Sequence, residues 1–159
     1  MPRFIILSVF LLACGGDSED SAAEEGPATE ACEHFAEGPA EAVTAAATEA
    51  EAPSVTFAHT RIDVALVDFE GGQGGYVKYE ADEAADFLFF LGAADLPFEV
   101  VGGAFESSAD VSECAEVAVA LTAELEVGPV VLKIGPTSAT QVQLVVEEAA
   151  GDDHDHAHE

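Results

Sequence analysis

Basic residues are what this sequence has least of. Four Lys and Arg stand against 32 Asp and Glu, a formal charge of −28 at pH 7 with His neutral. That excludes nucleic acid as a partner, because neutralising phosphates needs a basic patch. Anionic lipid headgroups are repelled too, so any hold on a membrane cannot come from surface charge. Long apolar runs are also missing: residues 4–13 make a run about half the roughly 20 residues that span a bilayer. Trp is absent and Met1 is the sole Met, which leaves aliphatic residues and ten Phe to build a core. Hydrophobic residues are 49% of the chain, enough for that purpose.

Catalytic signatures are missing as well. There is no Gly-x-Ser-x-Gly, no His-Glu-x-x-His and no EF-hand loop. The Gly-rich stretch 71–75 has no Lys-Ser/Thr after it and leads into a strand pattern, so it reads as a hairpin loop, not a phosphate cradle. Asp82, Glu83 and Asp86 could pair as acid and base, but with 32 acids in the chain such neighbours are expected on a solvated surface. The sequence points to a binding module and not to an enzyme.

What is there begins at the N-terminus. Met1-Pro2-Arg3 supplies one positive charge, an apolar run follows, and Leu11-Leu12-Ala13-Cys14 leads into Gly15-Gly16-Asp17. This is an export signal in form. Its Leu-x-Ala-Cys ending resembles the lipobox of bacterial lipoproteins. The resemblance implies that residues 1–13 are a signal peptide and that Cys14 carries palmitate-type acyl chains. It places the protein in the bacterial cell envelope, lipid-anchored and extracytoplasmic, touching the membrane through the anchor alone. Without residues 1–13 the remaining cations are Arg61, Lys78 and Lys133, and the charge is about −29. Such acidity suits solubility, cation binding or a salty habitat alike.

With Cys14 assigned to the anchor, Cys32 and Cys114 remain as a pair. In an oxidising compartment their default is a disulfide, worth ~4–5 kcal/mol in the chain-entropy picture. The competing reading is a metal site made of Cys32, His34 and Cys114, at a spacing that matches no standard zinc pattern. His34 and His59 otherwise read as an arm residue and a strand-end residue.

Residues 14–30 are small and acidic, cannot bury enough surface to order themselves, and read as a disordered tether reaching ~50 Å when extended. Residues 31–149 form the domain, with its core strands over 54–147, and 150–159 form a tail. Cys32 to Pro39 suggests a short turn of helix or an ordered arm ended by Gly-Pro. Residues 40–52 are ambiguous, since Ala and Glu favour helix while Val43-Thr44 and Pro53 permit an extended segment. From Ser54 onward the period is two. Segments 61–67, 76–80, 86–91, 98–101, 116–125, 130–134 and 141–147 are short, apolar and bounded by Gly, Pro or acidic turns. About eight such strands predict an all-β fold, an antiparallel β-sandwich.

Residues 83–92 align without gaps on 126–135, and each block is preceded and followed by a further strand. A duplication and a shared strand-turn-strand grammar both explain this. The recurring phrase, an acidic turn, a small residue and then apolar-x-apolar ahead of a Gly-containing turn, resembles bacterial pre-peptidase C-terminal-type β-sandwich modules. Phe87 or Val130 holds the position of their tyrosine, and Ala85 replaces the glycine of the first block. Lipobox, Cys-Glu-His-Phe, β domain and His-rich end together are similar to envelope lipoproteins, which implies a binding or accessory module.

Concentrated ligand chemistry occurs at the C-terminus, where His154, His156 and His158 alternate with Asp153, Asp155 and Ala157. An extended backbone presents the three imidazoles on one face. They and the two Asp can hold zinc or another divalent transition metal, with protons competing below neutral pH. The leading expectation is a lipid-anchored binding protein that captures such a metal through this tail. The alternatives are a solvated acidic tail with no metal, and a structural or adhesive surface module binding a protein or glycan. The last predicts exposed aromatics such as Tyr76, Tyr79 or Phe98.

Overall fold

Period-two burial along the central strands divides the chain into two facing sheets, as its hydrophobic alternation requires. The computed structural model describes residues 26–55 and 59–149. One helix, α1 (Pro27–Ala36), precedes β1 (Ala40–Thr44), β2 (Ser54–Val55), β3 (Arg61–Ala65), β4 (Val67–Phe69), β5 (Gly72–Ala81) and β6 (Ala85–Leu91). Then follow β7 (Phe98–Val100), β8 (Ser107–Asp110), β9 (Val119–Leu125), β10 (Gly128–Thr137) and β11 (Gln141–Glu148). One sheet runs β1-β3-β11-β6-β9-β8; the other runs β2-β5-β10-β7, with β4 also on β5.

The β-sandwich expected from the sequence is what forms, with two differences. There are eleven strands, not about eight. The additions β1, β4 and β8 are three to five residues long and lie at or beside sheet edges, where one-sided support leaves little apolar alternation to read. Pairing is not purely antiparallel either, because β1 lies parallel to β3 and β2 parallel to β5. The Gly-rich stretch is also shorter as a turn than expected. Only Glu70 (φ 49°) and Gly71 (φ 90°) turn the chain, as a two-residue hairpin with positive φ at both positions, and β5 already starts at Gly72.

The two aligned segments occupy opposite sheets in a reciprocal way. β6 lies between β11 and β9, while β10 lies between β5 and β7. Each central strand of one segment is thus flanked by the outer strands of the other.

Between the sheets, Ile62 and Val64 of β3, Phe89 of β6, Leu132 and Ile134 of β10 and Leu144 of β11 are essentially without solvent contact. Burying each such side chain stabilises by about 1.5–3 kcal/mol. Strands β6 and β11 are buried on both faces. Their second faces, Leu88, Phe90 and Val145, pack with Ala31, Cys32 and Phe35 of α1 into a separate cluster. The helix therefore covers the outside of the six-stranded sheet. Pro27 suits its first turn, and Glu30 opposes the positive end of its dipole. The helix thus begins at Pro27, inside the stretch read as tether. The disulfide Cys32–Cys114 forms, bridging Cα atoms 5.9 Å apart and 82 residues distant in sequence, and so ties α1 to the loop between β8 and β9.

Candidate functional site

On α1, residues four apart share a face, so Glu30 and His34 stand one turn above the other. The strand alternation of β11 sends Val142, Leu144 and Val146 between the sheets and turns Gln143, Val145 and Glu147 toward α1. Glu147 thereby comes to lie beneath the helix, 2% exposed. A fourth group arrives from the segment before β3. His59 has φ 53°, a left-handed conformation that His tolerates better than most residues and that indicates a backbone held by its surroundings.

The four side chains converge. His34 Nε2 is 3.8 Å from Glu30 Oε1 and 3.7 Å from Glu147 Oε1. His59 Nδ1 is 2.9 Å from Glu30 Oε1 and 2.8 Å from Glu147 Oε2. The imidazole centroids are 5.8 Å apart and tilted by 54°. One donor atom each from Glu30, His34 and His59 fits within a 4.8 Å span. The back of the cluster is closed by Glu147 and His34, the latter 19% exposed, while Glu30 at 43% and His59 at 60% open to solvent.

Electrostatically the back wall is poorly satisfied. Among the described residues, neither carboxylate oxygen of Glu147 receives an aligned hydrogen bond, and neither does His34 Nε2 have a hydrogen-bond partner. His59 Nδ1 is close enough to Glu147 for charge attraction but is not aligned as a donor to it. Burial raises the Glu147 carboxyl from 4.5 to about 7; the charge of His59 opposes the rise and that of Glu30 adds to it. A buried polar group without partners normally has an explanation, and a bound cation is one.

Neighbouring residues hold the geometry. Arg61 Nη1 donates to the Phe35 carbonyl at 2.8 Å, satisfying the C-terminal end of α1, while its Nε donates to Asp63 Oδ1 at 3.0 Å. Gln143 Nε2 donates to the same Asp63 oxygen at 3.2 Å. Gly38 sits against His34 so tightly that a Cβ there would lie 2.6 Å from His34 Cα and 2.9 Å from its Nδ1.

The residues singled out from sequence fare unequally. Cys14, Asp153, His154, Asp155, His156 and His158 lie outside the described residues. The Cys32–His34–Cys114 metal reading is corrected: the two sulfurs are bonded to each other, and His34 Nε2 faces Glu147 instead. His34 and His59, expected as separate arm and strand-end residues, are brought together. Glu147 was read only as the end of a strand. Its signal was alternation with Val145, which mattered only once a helix covered that face. Asp82, Glu83 and Asp86 are exposed, as a solvated surface requires. Tyr79 and Phe98 are buried at 4% and 8%, so the expected aromatic patch does not include them.

No family model and no curated protein matches the chain.

Proposed function

We propose that this protein is a lipid-anchored, extracytoplasmic binding protein that captures a divalent transition metal, Zn²⁺-like, at Glu30, His34, His59 and Glu147. The observation that carries the reading is the trio Glu30, His34 and His59, one donor atom of each lying within 4.8 Å of the others, with Glu30 Oε1 at 2.9 and 3.8 Å from the two imidazole nitrogens. With metal–ligand bonds of 2.0–2.2 Å, the edge of a zinc tetrahedron is about 3.3 Å, which the two distances from Glu30 Oε1 bracket; Glu147, which meets the imidazoles through different oxygens, would complete the set by turning one oxygen to the ion. Two neutral imidazoles and two carboxylates would also cancel the ion's charge, and the buried Glu147 would gain a direct bond in place of its unaligned contact with His59.

The donor set argues for the class of ion. Two nitrogens and two carboxylates suit Zn²⁺, Co²⁺, Ni²⁺ or Cu²⁺, whereas Ca²⁺ takes six to eight oxygens. Neutral imidazole is a ligand and imidazolium is not, so binding weakens in acid. The tail, with His154, His156 and His158, would serve as a second, looser collector. Attachment through Cys14 rests on the lipobox resemblance and would keep both at the envelope, where environmental ions arrive. Of the three aromatics the adhesive alternative would use, Tyr79 and Phe98 lie in the core and Tyr76 is half-buried.

Calorimetric titration of Zn²⁺ separates the two sets of ligands. The chain ending at Ala149 should take up one ion with a Kd of about 1 µM or tighter, and H34A/H59A in that chain should weaken it about 100-fold. Equal weak binding by both chains would remove the folded site from the account and leave the tail alone.

A further inference from the structure

At 100° per residue, α1 presents three adjacent zones around its axis. Glu30 and His34 form one edge, Ala31 and Phe35 come next, and Cys32 lies about 200° round from Glu30. The middle zone is the apolar contact with Phe90, Val117, Ala120 and Val145. The helix is thus held along its buried stripe and gripped on both flanks: by the Cys32–Cys114 bond on one side, and by the His34 and Glu30 contacts with Glu147 and His59 on the other. Two of the four proposed ligands ride on this ten-residue helix, and the disulfide cysteine lies between them in sequence.

A helix this short is marginal without tertiary support. Its apolar stripe rests mainly on Ala31 and Phe35, and its last carbonyls are met by the Glu37 and Gly38 N–H groups and by Arg61. Its C-terminal end runs through residues 37–39 into β1, and the disulfide is the cross-link that ties its middle to the loop between β8 and β9. Untying it leaves Glu30 and His34 on an element that can drift, while His59 and Glu147 stay with the sheet side. A site whose ligands must be gathered at each binding event loses affinity by the ordering that gathering requires.

We infer that the Cys32–Cys114 disulfide gates the metal site, so that reduction by a dithiol loosens α1 and lets the ion go. This rests on the metal-binding reading above. In the exchange a dithiol thiolate attacks one sulfur of the protein bridge and its second thiol resolves the mixed disulfide. The protein S–S bond breaks, two protein thiols form, and the dithiol leaves as a disulfide after giving up two electrons. The metal departs in its original oxidation state. Coupling is reciprocal: the factor by which oxidation tightens metal binding is the factor by which metal resists reduction.

Two measurements on the full chain carrying tail changes H154A/H156A/H158A test this. In the first, Zn²⁺ affinity is compared for the oxidised protein, the reduced protein with both thiols capped by iodoacetamide, and C32A/C114A, with hydrogen exchange of α1 followed in parallel. Oxidised protein should bind at least tenfold more tightly than either other form, and α1 amides should exchange faster once the bond is gone. In the second, the oxidised protein is equilibrated in a graded dithiothreitol redox buffer with free Zn²⁺ fixed by a metal buffer. Saturating Zn²⁺ should lower the midpoint by about 30 mV for a tenfold coupling. This second arm needs no substitution within residues 26–149. Equal affinities, or a midpoint that Zn²⁺ does not move, overturn the gate and leave the metal site standing. Failure of the oxidised protein to bind Zn²⁺ overturns both.

Discussion

Glu147 shows how a single residue can be spelled plainly in a sequence and still go unread. Its period-two neighbours Val145 and Gln143 place it on a defined face of β11, but only the cover supplied by α1 makes that face an interior. Burial then raises its carboxyl to about 7. The consequence for stability has a definite sign. The folded, metal-free protein holds a proton on Glu147 at pH values where the unfolded chain has released it, so stability falls as pH rises from about 4.5 to about 7. The size of the fall is on the order of 3 kcal/mol. Melting temperatures measured in a chelator across this range should therefore decline, and E147Q should flatten the decline while abolishing tight Zn²⁺ uptake. An identical slope in E147Q would assign the titration elsewhere. Gly38 belongs to the same scale. G38A drives a methyl into the His34 backbone and ring, and should cost about 1–3 kcal/mol by chemical denaturation together with a measurable loss of Zn²⁺ affinity.

At the level of elements, what was legible is what alternates. Strand β3 repeats buried Ile62 and Val64 against half-exposed Arg61 and Asp63, and β10 does the same with Leu132 and Ile134, so both were apparent from composition and period. Strand β1 was not, because Ala40, Glu41 and Ala42 prefer helix in isolation. Parallel pairing along β3, with Val43 opposite Val64, overrides that preference. Strand β8 offered nothing to read, since all four of its residues are exposed. The helix was half legible: Cys32 to Pro39 suggested an arm, but the apolar stripe of Ala28, Ala31 and Phe35 begins inside an acidic stretch whose composition argues for disorder. Phe35 is the anchor of that stripe at 3% exposure. F35A should cost about 3–5 kcal/mol by denaturant unfolding. It should also weaken Zn²⁺ binding although Phe35 touches no ligand, whereas an unchanged affinity would mean that the helix need not be docked for the site to form.

For the whole molecule, acidity and topology bear on different questions. The reciprocal flanking of β6 and β10 knits the two aligned segments into one sandwich, a relation that sequence alignment suggested and only pairing could express. The charge of −28 pushes the folded chain apart from within. Salt screens such repulsion over about 10 Å at 0.1 M, so adding NaCl should raise the melting temperature of the metal-free protein. Zn²⁺ at 100 times its Kd should add about 2.7 kcal/mol on top, by mass action. Groups from three separate parts of the chain, 30 and 34, 59, and 147, meet where α1 packs on β11 at the outer face of one sheet. No local motif announces them, and that is why the candidate centre could not be found from spacing.

The most direct measurement is anomalous diffraction at the zinc edge from crystals of the chain ending at Ala149 grown with Zn²⁺. The account predicts one strong peak under the N-terminal helix, with His34 Nε2, His59 Nδ1 and oxygens of Glu30 and Glu147 each at about 2.0–2.2 Å. A peak ligated by other residues, or none at this cluster while the four side chains keep their places, would contradict it.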